Sequence, residues 1–412
     1  MNIVLLSAYF PPEIGSAAHL FYELGGELVR RGHRVTVLTG FPAYNVDETT
    51  FPLKYRKGKH LIEEMNGMRI IRMRSPRMPR HVPVLRGLEQ VSMAWTFLWN
   101  GLFTLPKDND IILIYSPPLF LGLTALLLRF FKGSKVIVNI QDLFPQSAID
   151  LQVLNSKILI WLFQKIEKLI YRQSDSITVH SAGNRNHVLQ CGGRPECTYE
   201  VPNLVDTQEI HPGERNNAFR SRYGIPQSEY IISFAGVIGL SQDIDTVIEA
   251  AKLTADLQPV VYYIVGDGIE KDRLVKQAAG LKNIRFLPMI PKNEYIELLQ
   301  ASDICLSTLH KQVTTPVVPS KILSIMAAGR PVLASMPLHG DAPKLIKESD
   351  CGISVEPNHP GKLAEAVRWM FEHPDLCVSM GTNGRRYAVR HLSLEACTSH
   401  YEQLFTKLKK SN

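Results

Sequence analysis

Short apolar runs alternate with amphipathic stretches along the whole chain. In the first half the runs are NIVLLSA, RVTVLT, DIILIY, KVIVNI and SITVH. In the second half they are YIISFAG, PVVYYIVG, NIRFLP, DICLST, PVLAS and GISVE. Near-continuous hydrophobicity over five to seven residues predicts strands buried on both faces, that is, parallel sheets covered by helices. AAHLFYELGGELVRRGH separates the first two runs. Its Leu20, Leu24, Leu28 and Val29 fall on one helical face, and Gly32 ends it. Helices in the second half are predicted to begin near Asp243, Ile269, Lys292, Ser320, Ala342 and Gly361. The stretch 203–227 is rich in Pro, Asn, Asp and Glu and reads as an interdomain linker. The pattern predicts an α/β protein with two Rossmann-like, doubly wound parallel sheets facing a cleft. One domain is expected over 1–205 and a second over 206–390, with an amphipathic helix over 391–412 packing back on the first. Sheets of this kind bind ligands beyond the carboxyl ends of their strands.

The length of 412 residues suits two domains, and 45% apolar with 21% charged residues is ordinary for a folded chain. The six cysteines are scattered without a CxxC pair, which argues against a zinc site or disulfide framework and for a reducing compartment. MNIVLLSAYFPPEIG lacks a basic lead and reads as a first strand, not a signal peptide. The longest apolar runs, Val91–Leu105 and Pro117–Phe131, fall short of the roughly 20 residues that span a bilayer.

The net charge of +7 is unevenly placed. Lys54, Arg56, Lys57, Lys59, Arg69, Arg72, Arg74, Arg77, Arg80 and Arg86 face only Glu63, Glu64 and Glu89 in the same stretch. A solvated basic face would explain this. Because Trp95, Phe97, Trp99 and Phe103 follow directly, a surface drawn to an anionic membrane explains more. Nucleic acid fits less well, since no recognised binding motif accompanies the charge. The expectation is a cytoplasmic protein, peripheral on the inner face of the plasma membrane.

Four loops carry candidate chemistry. The strand YIISFAG runs into GVIGLSQDID, where Gly236 and Gly239 would let a phosphate reach backbone NH groups, although glycines serve plain turns as well. The first strand leads similarly to PPEIGSAA, with Gly15 and Ser16 at a helix start. PVVYYIVGDG ends in Asp267, read as a helix cap. In PVVPSKILSIMAAGRPVLAS, Ser320 reads as the N-cap and Lys321 sits in the first turn. A cation there opposes the helix dipole unless an anionic ligand shares the site. A surface lysine is the alternative.

The order and wording of these segments resemble the family-four retaining glycosyltransferases of the GT-B fold. The likeness runs from PPEIGSAAHLFYELGGELVRRGHRVTVLT through VPNLVDTQEIHP, YYIVGDG, NIRFLPMIPKNEYIELLQASDICLSTL and PSKILSIMAAGRPVLAS to CGISVEPNHPGKLAEAV. It implies that Gly15, Ser16, Gly236, Gly239, Met289, Ile290, Pro319, Ser320 and Ser324 bind a nucleotide-sugar, and that Lys321 is catalytic. Leu240, Ser241 and Gln242 stand where many members carry an arginine and a lysine for the pyrophosphate. Pro316 and Ser324 occupy the places of two glutamates, and Gln141 that of a histidine. A Pro-Ser-Lys subset that resembles amino-sugar transferases of surface-polysaccharide assembly tends to lack the same groups and shows an Asp-aromatic-Pro element, here Asp142-Leu143-Phe144-Pro145. Asp142 is thus the candidate for a sugar or acceptor hydroxyl, or else makes an Asx turn. His19, His180 and His187 are weaker candidates.

The resemblance implies transfer of a sugar, an N-acetylamino sugar in this subset, from a UDP-sugar to a lipid-diphosphate-linked saccharide. No cofactor beyond the donor and no metal is implied, as Lys321 and a helix end can stabilise the leaving diphosphate. The missing carboxylates and histidine keep open a non-catalytic nucleotide-sugar-binding protein. A nucleotide-sugar epimerase fits the segments poorly.

Overall fold

The computed structural model describes residues 1–13, 16–42, 52–56, 58–76, 78, 83–150 and 152–410, with only the backbone of 16, 17 and 83–86. It divides into two compact units, Met1–Leu204 with Leu394–Asn412, and Val205–Ser393.

The first unit runs β1 (Asn2–Leu6), α1 (Ser16–Arg30), β2 (Arg34–Gly40), β3 (His60–Met65), β4 (Met68–Met73), α2 (Pro83–Thr104), β5 (Ile111–Ser116), α3 (Phe120–Lys132), β6 (Lys135–Ile140), α4 (Gln146–Asp150), α5 (Lys157–Gln173), β7 (Ser176–Val179), α6 (Ala182–Gln190) and β8 (Thr198–Glu200). Its eight strands lie in the order β3-β4-β2-β1-β5-β6-β7-β8. All neighbours are parallel except β3, which pairs antiparallel with β4. β3 departs from the expected all-parallel sheet for a visible reason. Its HLIEEM alternates exposed and half-buried positions, the pattern of an edge strand covered on one side.

Because side chains alternate along a strand, each strand of this sheet feeds two cores. Val4, Leu6, Ile112, Ile114, Val136 and Val138 join Phe97 of α2, Leu128 of α3 and Ile170 of α5. Ile3, Leu5, Ile111, Leu113 and Ile137 join Leu24 and Leu28 of α1 on the other face. A final helix, numbered below, completes that second layer with Cys397, Tyr401, Leu404 and Phe405. Each such buried aliphatic or aromatic contributes about 1.5–3 kcal/mol, so this helix is a structural part of the first unit.

The second unit continues with α7 (Ala218–Arg222), β9 (Tyr230–Ala235), α8 (Ile244–Leu253), β10 (Val260–Val265), α9 (Lys271–Gln277), β11 (Ile284–Leu287), α10 (Lys292–Ala301), β12 (Ile304–Thr308), α11 (Ser320–Ala327), β13 (Val332–Ser335), α12 (Asp341–Glu348), β14 (Gly352–Val355), α13 (Pro360–Glu372) and α14 (Pro374–Tyr387). The chain then returns to the first unit as α15 (Leu394–Lys410). The six strands are all parallel, in the order β11-β10-β9-β12-β13-β14. This order reverses direction between β9 and β12, a topological switch point.

The stretch 205–227 is built into this unit and is not a free linker. Arg220 is buried and donates to the carbonyls of Pro226, Glu229 and Ala301 at 2.9–3.0 Å. Arg215 pairs with Asp303 at 2.6 Å.

The basic stretch 54–89 is likewise more internal than its composition suggests. Arg72 is fully buried, pairs with Glu63 at 2.5 Å and donates to the carbonyls of Gly40 and Pro11. Lys54 shares Glu63 at 2.6 Å. Arg74 donates to the carbonyls of Gly58 and Tyr55 and lies over the Phe41 ring. Lys57, Arg77, Arg80 and the Arg86 side chain lie outside the described residues. Arg72 and Arg74 therefore serve the fold, and the expectation that they form a membrane-facing basic surface is corrected.

Candidate functional site

The loops at the carboxyl end of the second sheet converge on Lys321. Gly236 follows β9 directly and donates its N–H to Val265 O at 3.0 Å, which ties the β9 and β10 loops together. Its φ of +146° suits glycine, and a Cβ there would come within 3.2 Å of Lys321 Nζ. In the β10 loop, a Cβ on Gly266 would overlap Gly236 O at 1.8 Å. Ile238 N–H donates to Asp267 O at 2.8 Å, completing the pairing. Asp267 does not cap a helix: its carboxylate accepts from the neighbouring Gly268 N–H, and α9 starts only at Lys271. Gly239 differs from the others. A Cβ there would touch only Val237, at 4.0 Å, so the fold itself makes no demand for glycine. Close approach of a ligand to the backbone does make that demand.

Lys321 lies on the first turn of α11, with Nζ 3.7 Å from the centroid of the Phe234 ring and 3.2 Å from Gln242 Oε1. Although the residue keeps some contact with solvent, the protein around its ammonium lowers its pKa to about 7 through desolvation. No carboxylate contributes to that shift. Gln242 thus orients Lys321 with its amide oxygen. Its main-chain carbonyl accepts from the Thr308 hydroxyl at the end of β12, and Ser241 O accepts from His310 N–H. The next residue, Asp243, turns the chain into α8 with φ +49° and accepts from the N–H and side-chain amide of Asn358 at 3.0 and 3.1 Å. Burial raises the pKa of Asp243, opposed first by a hydrogen bond from the Thr246 side chain and then by that from Asn358 N–H.

The remaining donor-side candidates are less uniform. Pro319 holds the cap position of α11 and Ser320 is its exposed first residue, so the expected Ser320 cap is corrected. Ser324 hydrogen-bonds the phenol of the half-buried Tyr295, which restricts its hydroxyl as a ribose contact. Met289 is 41% exposed, whereas Ile290 packs against the core of Phe219, Val265 and Leu298.

In the first unit Gly15 lies outside the described residues, and Ser16 is the first residue of α1. Asp142 follows β6. It is exposed, yet nearby protein atoms raise its carboxyl pKa by desolvation. Burial, and then the Asp142 charge, push the Tyr115 phenol up.

Gln141, at the position of the absent histidine, points away from solvent. Its amide donates to Asn139 Oδ1 at 2.8 Å and Asn203 Oδ1 at 2.7 Å, and Asn203 returns a bond to Gln141 Oε1 at 2.8 Å. Asn139 in turn donates to Thr178 and to the Tyr401 hydroxyl of α15. His180 holds the same loop, 3.1 Å from Gln141 O and 3.0 Å from Asn184 Nδ2. Gln141 and His180 are thus positioning groups for the segment that carries Asp142. His187 lies elsewhere, on α6, with its ring turned toward Glu167 of α5 and Cys191. Sequence reasoning missed Phe234, Thr308 and Tyr115, all in the last two positions of their strands, where a residue's neighbours come from distant segments.

Comparison with known proteins follows this geometry. Residues 15–203 match the glycosyl transferase 4-like domain, and residues 216–387 match the group 1 glycosyl transferases. A putative colanic acid biosynthesis glycosyl transferase, WcaI of Escherichia coli K12, is 25% identical over 96% of this chain and 97% of its own. A probable glycosyltransferase, WbjE of Pseudomonas aeruginosa, is 27% identical over 71% of this chain and 73% of its own. Among solved structures, sucrose-phosphate synthase from Thermosynechococcus elongatus superposes with a TM-score of 0.78 at 18% identity, covering 100% of both chains. Anabaena HepE in complex with UDP gives 0.73 at 14% identity, covering 99% of this chain and 100% of its own. These structures share the two-sheet α/β fold. Through its two matched domains, the chain belongs to the group 1, 4-like glycosyl transferase family.

Proposed function

We propose that the chain is a retaining glycosyltransferase that moves a sugar from a UDP-sugar to a lipid-linked saccharide in surface-polysaccharide assembly. The observation that carries this reading is the Lys321 ammonium, desolvated at the start of α11 beside Gly236 and with no carboxylate contributing to its pKa shift. Such a cation is unfavourable alone and favourable against a diphosphate. As the glycosidic bond to the diphosphate breaks, negative charge grows on the leaving oxygen. Lys321 is assigned to that charge together with NH groups of the β9 loop other than those of Gly236 and Ile238, which bond the β10 loop. This is the form of catalysis in which preorganised donors act most strongly. Asp142 is assigned to a sugar or acceptor hydroxyl. The N-acetylamino character of the sugar rests on the Pro-Ser-Lys opening of α11. The names of WcaI and of WaaG, a glycosyltransferase involved in lipopolysaccharide biosynthesis with TM-score 0.69, support the pathway class.

The test is a thermal-shift panel of UDP-, GDP- and ADP-sugars, then release of the free nucleotide from the best binder with and without EDTA. UDP-sugar binding with slow UDP release, unaffected by EDTA, supports the proposal. Tight binding with no turnover on any acceptor favours a non-catalytic binding protein, which the residues at Pro316, Ser324 and Gln141 would then explain.

A lipid-linked acceptor calls for contact with a membrane, and the helical layer of α2, α3 and α5 offers one. No helix among the described residues is long and apolar enough to cross a bilayer. Yet the outward stripe of α2 carries Trp95, Trp99 and Phe103 at 65, 57 and 72% exposure, where a water-facing helix carries charge. Phe130 and Phe131 of α3 and Ile158 and Trp161 of α5 are exposed on the same layer. Lys157, Lys165, Lys168 and Arg172 are exposed on α5 beside them, and Lys165 lies 5.7 Å from the Trp161 ring centroid. Apolar insertion plus a basic rim supplies the two signals that peripheral binding needs. Replacing Trp95, Trp99 and Phe103 together by serine is expected to abolish flotation with vesicles containing phosphatidylglycerol. Because the three side chains are exposed, melting should change little. Unchanged flotation, or a dimer in solution that the triple variant dissolves, would count against a bilayer as the occupant.

A further inference from the structure

We propose that Glu167, His187 and Cys191 form a binding site for a zinc-class divalent cation in the first unit, separate from the glycosyl-transfer residues. His187 sits on α6 and Cys191 immediately follows that helix, one turn later, so their side chains share a face. Glu167 reaches them from α5. Cys191 Sγ lies 3.4 Å from His187 Nε2, His187 Nε2 lies 3.9 Å from Glu167 Oε1, and all three ligand atoms are within 4.8 Å of one another. Donor atoms on a tetrahedral zinc lie roughly 3.3–3.6 Å apart, given bond lengths of about 2.0–2.3 Å. The His187–Cys191 separation already fits that geometry, and Glu167 has to close on the pair by no more than roughly 1.5 Å, within side-chain rotation.

Charge favours the same conclusion. The Glu167 side chain is 2% exposed, and its one ion-pair partner among the described residues is His187; no lysine or arginine lies within bridging distance. A buried carboxylate without a cation is costly. A thiolate, a carboxylate and a neutral imidazole around a divalent ion sum to zero, which removes the deficit.

The surrounding residues also suit a metal. The buried Tyr171 hydroxyl donates to Glu167 Oε1 at 2.9 Å, the kind of outer hydrogen bond that fixes a ligand's orientation. His187 and Cys191 are partly exposed, leaving a route for entry and a water as fourth ligand. A lone i, i+4 His–Cys pair with its third ligand on another helix has no CxxC signature, so cysteine spacing alone does not bear on this arrangement.

The experiment uses the full chain without a histidine tag, stripped with EDTA and titrated with cobalt(II). One equivalent is expected to give tetrahedral d–d absorption and a thiolate-to-cobalt charge-transfer band, both displaced by zinc. Cys191→Ser and His187→Gln should abolish the charge-transfer band, and Tyr171→Phe should weaken zinc about 10–100-fold. The same variants should keep nucleotide-sugar binding, which separates this site from the donor site. Absence of the band in the wild type, or its persistence in Cys191→Ser, overturns the proposal. Should a variant fail to fold, alkylation of Cys191 in the wild type decides: zinc should protect this thiol, and equal labelling with and without zinc refutes the site.

Discussion

Lys321→Ala is expected to lower kcat for nucleotide-sugar turnover by about 10²–10³-fold, the usual cost of removing one preorganised donor from a developing oxyanion. Steady-state UDP release measures it. A rise in KM at unchanged kcat would mean that Lys321 binds the donor equally in ground and transition states, and no change in either constant would remove it from the mechanism. The pH dependence gives an independent check. Desolvation pulls the ammonium of the free protein from the ordinary 10.5 down to about 7. Below that value the lysine is charged in folded and unfolded chains alike and opposes folding. This cost diminishes as pH rises from about 7 towards 10.5, where only the unfolded chain still holds the proton. Donor capture follows the opposite course, since it needs the charged form. The wild-type kcat/KM, which reports the free enzyme, should therefore decline as pH rises through about 7. The residual kcat/KM of Lys321→Ala should lack that decline. A shared profile would assign the titration to another group.

Much of the fold is legible in the chain because the parallel strands are self-evident apolar runs and their helices carry one apolar face. The strands that escape are those whose burial depends on a remote partner. β4 contains Arg69 and Arg72, and its core-facing arginine is tolerable only because Glu63 of β3 neutralises it. That pairing is not written in the local pattern. β8 spans only Thr198–Glu200, too short to show a period. The candidate site divides in the same way. Gly236 and Lys321 announce themselves through local rules, a turn glycine after a strand and a cation at a helix start. What surrounds the lysine does not: Phe234 and Gln242 lie 87 and 79 positions away in sequence, and only the sheet brings them beneath and beside the ammonium. The basic stretch illustrates the converse error, in which composition suggested a surface while Arg72 was committed to the interior. Of the aromatics that follow the basic stretch, Trp95, Trp99 and Phe103 are exposed, whereas Phe97 is buried in the core.

Gly266→Ala should be the most disruptive single methyl in the second unit. Gly266 has φ +151°, a region that L side chains rarely adopt, and holding alanine there costs about 1–3 kcal/mol. Its Cβ would also overlap Gly236 O at 1.8 Å, and the obstacle is backbone that cannot rotate aside. The β9 loop must then move, and with it Gly236, where an added Cβ would stand 3.2 Å from Lys321 Nζ. Stability and donor binding should fall together: roughly 5–10 °C in Tm for a unit of this size, and loss of measurable nucleotide-sugar affinity. Gly239→Ala provides the contrast. Its Cβ meets only Val237 at 4.0 Å and its φ of −126° is ordinary, so Tm should hold. Donor affinity should nonetheless drop, because the added methyl occupies the side from which a diphosphate would approach the loop NH groups. The two variants separate two ideas that a single substitution would confound. An unchanged Tm in Gly266→Ala would show that the β9–β10 contact does not fix the loop. Full donor affinity in Gly239→Ala would place the phosphates elsewhere, and the role assigned to Lys321 would then have to be tested without the β9 loop as its partner.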